Sequence, residues 1–126
     1  MKMLTIDVEN RKVEMVEANG LKDYYKLIGC RTIDIVHRTI GDDIEVEIVI
    51  DDEGALVESP KPSGIDVTST PALYGNLLIA SGRVTEDGEL TELDQDEIEV
   101  LMTWYIATIT TSVYKEPYPV FTEVDY

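Results

Sequence analysis

At 126 residues the chain is long enough to bury one hydrophobic core unaided and too short for two. A net charge of −16 sets it against nucleic-acid phosphates, and no apolar run approaches the ~20 residues of a membrane span. The single cysteine, Cys30, leaves no internal disulfide and no multi-cysteine metal site. The start MKMLTIDVEN has no long apolar segment leading to a small-residue cleavage site, so the expectation is a cytoplasmic protein with neither a membrane nor a nucleic acid as direct partner.

The acid excess is uneven. Residues 1–38 hold seven bases against six acids, whereas residues 39–126 hold three against twenty. No Lys or Arg lies between Arg38 and Lys61 or between Arg83 and Lys115. Such a surface attracts basic partners, and it also keeps a small protein soluble without any partner.

Taken in order, residues 2–8 alternate with Leu4, Ile6 and Val8 inward, turn at residues 9–12, and return with Val13 and Met15 on one face, a β-hairpin. Leu21, Tyr24, Tyr25 and Ile28 then fall at i, i+3, i+4 and i+7 and predict a short helix, with Asn19 as its N-cap and Gly29 as its left-handed stop. A helix this short needs a sheet beneath its apolar face. The sheet follows at once. Ile33, Ile35 and His37 share one face of a strand, and Ile44, Val46, Ile48 and Ile50 line one face of the next, across a turn at Gly41-Asp42-Asp43. The second strand stops at residues 51–54.

Residues 57–72 hold three of the five prolines and read as a long loop with a brief extended piece at Ile65 to Val67. A buried strand is expected over Asn76 to Ser81, then a turn at residues 85–88. Asp94 and Glu97 have capping-box spacing, and Ile98, Leu101, Met102 and Tyr105 repeat at helical intervals. Residues 106–114 have β composition. The tail carries Tyr118, Phe121 and Tyr126 and packs on the domain or on another chain. The fold class is therefore α+β: a single small domain, mainly antiparallel sheet with two short helices packed on it, spanning residues 1–105, with the C-terminal strand and aromatic tail at 106–126.

Chemistry is sparse. His37, alone mid-strand, fits a half-buried structural role, and Cys30, beside Gly29, fits a buried inert thiol. A Cys30–His37 pair is disfavoured by up to ~20 Å of extended strand. Asp42, Asp43, Asp51, Asp52 and Glu53 cluster at the two ends of one hairpin without a calcium-loop pattern, so no metal is expected. There is no glycine-rich phosphate loop, no G-x-S-x-G and no H-E-x-x-H, so neither a cofactor nor an enzyme is expected.

From Met1 to about Tyr105 the chain resembles the DUF3846 family. The likeness rests on the N-terminal two-stranded lead, GLKDYYKLIGCRTIDIV, the strand ending in IDDEGAL, YGNLLIASG, and ELTELDQDEIEVL, in that order. The loop after the acidic turn reads PKPSGIDV where the family often shows a Pro-Asn-Arg-like segment, so no loop function is carried over. The resemblance implies an origin in a phage or other bacterial mobile element, hence the host cytoplasm, and an accessory role. It implies no activity.

Two functions fit. The first is a non-enzymatic binding protein countering a host defence system by binding a small anionic ligand or a host protein, with Arg31, Arg38, Tyr74, Asn76 and Arg83 as candidate ligand residues. The second is an acidic DNA-mimic decoy for a basic host protein, presenting Glu45, Glu47, Asp51, Asp52, Asp94 and Glu97. An exposed sheet edge and the aromatic tail are compatible with a homo-oligomer.

Overall fold

A computed structural model describes residues 1–41, 44–53, 60–68, 70–83, 85–110 and 118–124. The expected Asp42-Asp43 turn, the first part of the proline-rich loop and Tyr126 lie outside them. Strands β1 (Lys2–Asp7) and β2 (Lys12–Glu17) form the N-terminal hairpin, and α1 (Leu21–Ile28) leads into β3 (Ile33–Ile40) and β4 (Ile44–Asp51). Then come β5 (Pro62–Ile65), β6 (Pro71–Tyr74), β7 (Leu77–Ser81), α2 (Gln95–Val100), a π-helical segment over Leu101–Tyr105, β8 (Ile106–Ile109) and β9 (Tyr118–Phe121). The fold is a small α+β domain. No helix among the described residues is long and apolar enough to cross a membrane.

Two sheets share the core. The larger runs β2-β1-β7-β4-β3, all antiparallel, with the late strand β7 inserted between the two hairpins. The smaller runs β6-β5-β9-β8, with β5 and β9 parallel. Register sets which side chains meet. Leu4 lies opposite Ile79, Ile79 opposite Ile48, and Ile48 opposite Val36, so one face of the larger sheet is a continuous apolar layer. Leu4, Ile6, Ile48, Leu77 and Ile79 are fully buried there with Leu101 and Phe121. Each such burial is worth about 1.5–3 kcal/mol, and a slip of one residue would turn the whole set out of this layer and onto the opposite face.

The other face carries α1. Tyr24 and Ile28 cover Met3, Val49, Leu78 and Ala80. Three sequence expectations need correction here. Leu21 and Tyr25 are 57% and 37% exposed, because the helix meets the sheet along the Tyr24–Ile28 edge only. Asn19 does not cap the helix: its side-chain oxygen accepts from the N-terminal ammonium at 2.8 Å, while its backbone N–H donates to Asp23 at 2.8 Å. His37 does share a face with Ile33 and Ile35, and that face lies on the helix side, but only Ile33 packs against the cluster under α1, while Ile35 and His37 stay exposed.

Part of the expected 57–72 loop is β5 and β6, with Ser63 and Gly64 fully covered between neighbouring strands. Beyond residue 106, β8 and β9 pair from Ile106–Phe121 to Ile109–Tyr118, and Phe121 enters the principal core. Helix α2 ends early. A π-helical turn carries its C-terminal end, keeping Leu101 and Tyr105 buried while Met102 and Trp104 turn outward.

Candidate functional site

The candidate cations do not converge. Arg31 is exposed in the bend between α1 and β3. Arg38 lies on the core side of β3, opposite Val46, and one of its terminal nitrogens donates to the His37 carbonyl at 2.7 Å. Arg83 is tied down: it donates to Glu97 Oε1 at 2.8 Å and to Ser81 Oγ at 3.0 Å, and Glu97 holds its guanidinium firmly in the charged form. Tyr74 closes β6, half-buried. Asn76 has a structural task, since its side-chain oxygen accepts the Val8 N–H at 2.8 Å and its amide donates to the Ile28 carbonyl at 3.4 Å. It joins the N-terminal hairpin to the end of α1.

The acidic residues first singled out are partly occupied too. On the helix-side face, His37 sits between Glu47 and Glu45, with Nδ1 at 2.7 Å from Glu47 and Nε2 at 3.4 Å from Glu45. The hydrogen bond to Glu47, then that to Glu45, raises the imidazole pKa above its ordinary 6.5. Asp51 accepts the Glu53 N–H at 2.9 Å, and Asp52 is exposed with its own N–H on the Thr32 carbonyl. Asp94 and Glu97 complete the expected capping box: each side chain accepts the other's backbone N–H, at 2.8 and 3.1 Å. Glu97 also accepts from Ser81 Oγ at 2.8 Å.

What remains is a strip. Of the eight acids between Glu86 and Glu99, seven are exposed, and among the described residues Arg83 is the one base that answers any of them. Glu86, Asp87, Glu89, Glu92 and Asp96 make no ion pair with a described residue. The segment bearing them is anchored. Gly88 turns back on Thr85, Thr91 bridges to Ser81, and buried Leu93 donates to the Lys2 carbonyl at 3.2 Å. From sequence, the capping-box spacing singles out only the half of this strip that starts at Asp94, and the other half shows only as acids in the base-free run between Arg83 and Lys115.

Two surface recesses accompany the strip. One, of about 550 Å³, lies beside the N-terminal turn of α1 between Leu21, Tyr24, Ile35, Met1 and Leu90. The other, of about 680 Å³, lies between Ile44, Val100, Trp104, Tyr105 and Glu123. Trp104 stands outside the 98-101-102-105 stripe that helical spacing assigns to the core. No group of three His, Cys, Asp or Glu side chains among the described residues is placed to hold a metal ion. Cys30 is half-buried among the apolar residues under α1, and burial, then Asp51, pushes its thiol pKa up. It is thus held away from the reactive thiolate.

Fold and surface define the class: a small two-sheet α+β domain with an anchored strip of exposed carboxylates. The family described as "Domain of unknown function (DUF3846)" matches residues 1–106, and the chain belongs to it. A search of curated proteins and a search of solved structures found no match.

Proposed function

We propose that this chain is a non-enzymatic binding protein whose carboxylate surface engages a basic protein. Its origin in a phage or other mobile element, and a role against a bacterial host's defence, belong to the same proposal and rest on the family resemblance. The observation that carries it is the imbalance along residues 86–99: seven exposed carboxylates held on an anchored segment with Arg83 as the sole described counter-charge. Like charges concentrated on one surface raise the local potential and steer a cationic partner. The DNA-mimic form of the reading gains less support, because Glu47 is only 14% exposed and His37 bridges it toward Glu45. The anionic-ligand form gains least, since Arg83 and Asn76 are engaged within the fold.

The test is capture of protein from a bacterial lysate at graded salt, comparing the native chain with a variant carrying Glu86→Gln, Asp87→Asn, Glu89→Gln and Glu92→Gln. Screening shortens from a Debye length of about 10 Å at 0.1 M to about 3 Å at 1 M. A basic protein retained at low salt should be released across that range and be missing with the variant. Retention indifferent both to salt and to the neutralised strip would overturn the reading.

A further inference from the structure

The 680 Å³ recess beside the π-helical turn has features that the carboxylate strip lacks. Its wall is Trp104, 73% exposed although it is the chain's single tryptophan and one of its largest apolar side chains. An indole is normally sheltered, and π-helical turns occur often at functional sites because the extra residue re-aims a side chain. Here the turn keeps Leu101 and Tyr105 in the core and sends Trp104 out.

Glu123 lines the same recess and holds a backbone φ of +58°, the left-handed region that glycine and asparagine usually fill. Three hydrogen bonds fix it there. Thr122 N–H donates to the Tyr105 carbonyl at 2.9 Å, Gly41 N–H to the Glu123 carbonyl at 2.9 Å, and Val124 N–H to the Ile65 carbonyl at 3.0 Å. Backbone held in a sparsely populated conformation by its surroundings is a recurrent sign of a functional position. The Tyr105 ring packs so closely on Gly41 that an added Cβ would overlap its phenol oxygen. The backbone that carries Glu123 is therefore held in place, and Ile44 and Val100 add an apolar lining to the recess.

We propose that this recess takes an arginine side chain of the basic partner, with the guanidinium over the Trp104 indole and hydrogen-bonded to the Glu123 carboxylate, and its methylenes on Ile44 and Val100. The proposal rests on the binding function above and names its specific subsite. A guanidinium suits the chemistry: it stacks on an aromatic face, pairs with a carboxylate through two parallel N–H groups, and is weakly hydrated enough to leave water.

Trp104 makes the test direct, because all tryptophan emission comes from this wall. The probe is a blocked hexapeptide of alternating glycine and arginine, with lysine and norleucine counterparts, followed by Trp104 emission and by calorimetry at low salt. The arginine peptide should change the emission saturably and bind more tightly than the lysine one, with no binding of the norleucine one. Trp104→Leu and Glu123→Gln, both at exposed positions and checked for unchanged thermal unfolding, should each weaken calorimetric affinity by roughly five- to thirty-fold. Neutralising residues 86–92 should weaken binding yet leave the emission change at saturation. Arginine peptide binding with unaltered emission and full affinity in both variants overturns the subsite and leaves the carboxylate strip standing. Equal binding of the norleucine peptide, or no binding at all, also overturns it, while lysate capture still decides the parent reading.

Discussion

Phe121→Ala should be the most damaging single truncation near the C-terminus. Phe121 has no exposed surface, lies on β9 opposite Ile106 and alongside Gly64, and packs into the same core as Leu4, Ile48 and Leu101. Removing a buried phenyl ring loses its transfer free energy and leaves a cavity, together about 3–5 kcal/mol. A domain of this size has a total of roughly 5–15 kcal/mol, so a large share of the stability should go. With a urea dependence of about 2 kcal/mol per molar, the unfolding midpoint should fall by roughly 2 M. Phe121→Leu, which refills most of the space, should cost only about 1 kcal/mol. The assay is equilibrium urea unfolding followed by far-ultraviolet circular dichroism, with the slope checked for constancy. A midpoint for the alanine variant within about 0.5 M of the native one would refute the reasoning, since β9 would then stand outside the cooperative core.

Three further outcomes follow from particular contacts. Asp94→Ala should cost about 1 kcal/mol through the lost capping box, whereas exposed Asp96→Asn should cost almost nothing; equal effects in urea unfolding would argue against the cap. His37, the chain's one histidine, should titrate above 6.5 by proton NMR and return toward that value in Glu47→Gln. Because its folded-state pKa is raised, the stabilisation it gives is fully present below pH 6.5 and is lost as pH rises through the folded-state value. Gly41→Ala should cost about 2–4 kcal/mol, combining a left-handed backbone with overpacking on Tyr105, whereas Gly29→Ala, also left-handed but facing open space, should cost only about 1 kcal/mol in thermal or urea unfolding.

The elements that sequence displays well here are those whose partners are near in the chain. The β3–β4 hairpin, the Asp94–Glu97 box and the Gly29 stop each depend on spacing within a few residues. The insertion of β7 between β1 and β4 depends on register across some seventy residues to β1 and some thirty to β4, which no local pattern encodes. The same cause hid the faces of β3. Alternation places Ile33, Ile35 and His37 together but does not say which side of the sheet α1 covers, nor that only Ile33 of the three packs against the cluster under it. At Trp104 the helical period itself changes. The stripe through Leu101 and Tyr105 was legible, while the π-helical turn that leaves Met102 outside is a tertiary outcome. The candidate site was legible as charge but not as geometry. Arg83 and Glu97 looked available because fourteen residues of sequence conceal a 2.8 Å contact.

Whether an acidic surface serves solubility or binding turns on how it is held. Solubility requires only net charge, and a mobile acidic tail provides it as well as a folded segment does. Here the carboxylates of residues 86–99 stand on a segment fixed by the Ser81–Thr91 bridge, by Leu93 in the core and by the Arg83–Glu97 pair. Residues ordered in this way have already met the entropic cost that a partner would otherwise have to offset on binding. The outward indole of Trp104 points the same way, because an exposed tryptophan adds nothing to solubility and much to a contact surface. Rigidity of the acid-bearing segment is therefore the property that separates the two uses. Slow amide exchange at Glu89, Leu93 and Glu97, whose N–H groups are bonded within the fold, supports binding, and exchange at the rate of an unfolded chain supports solubility alone.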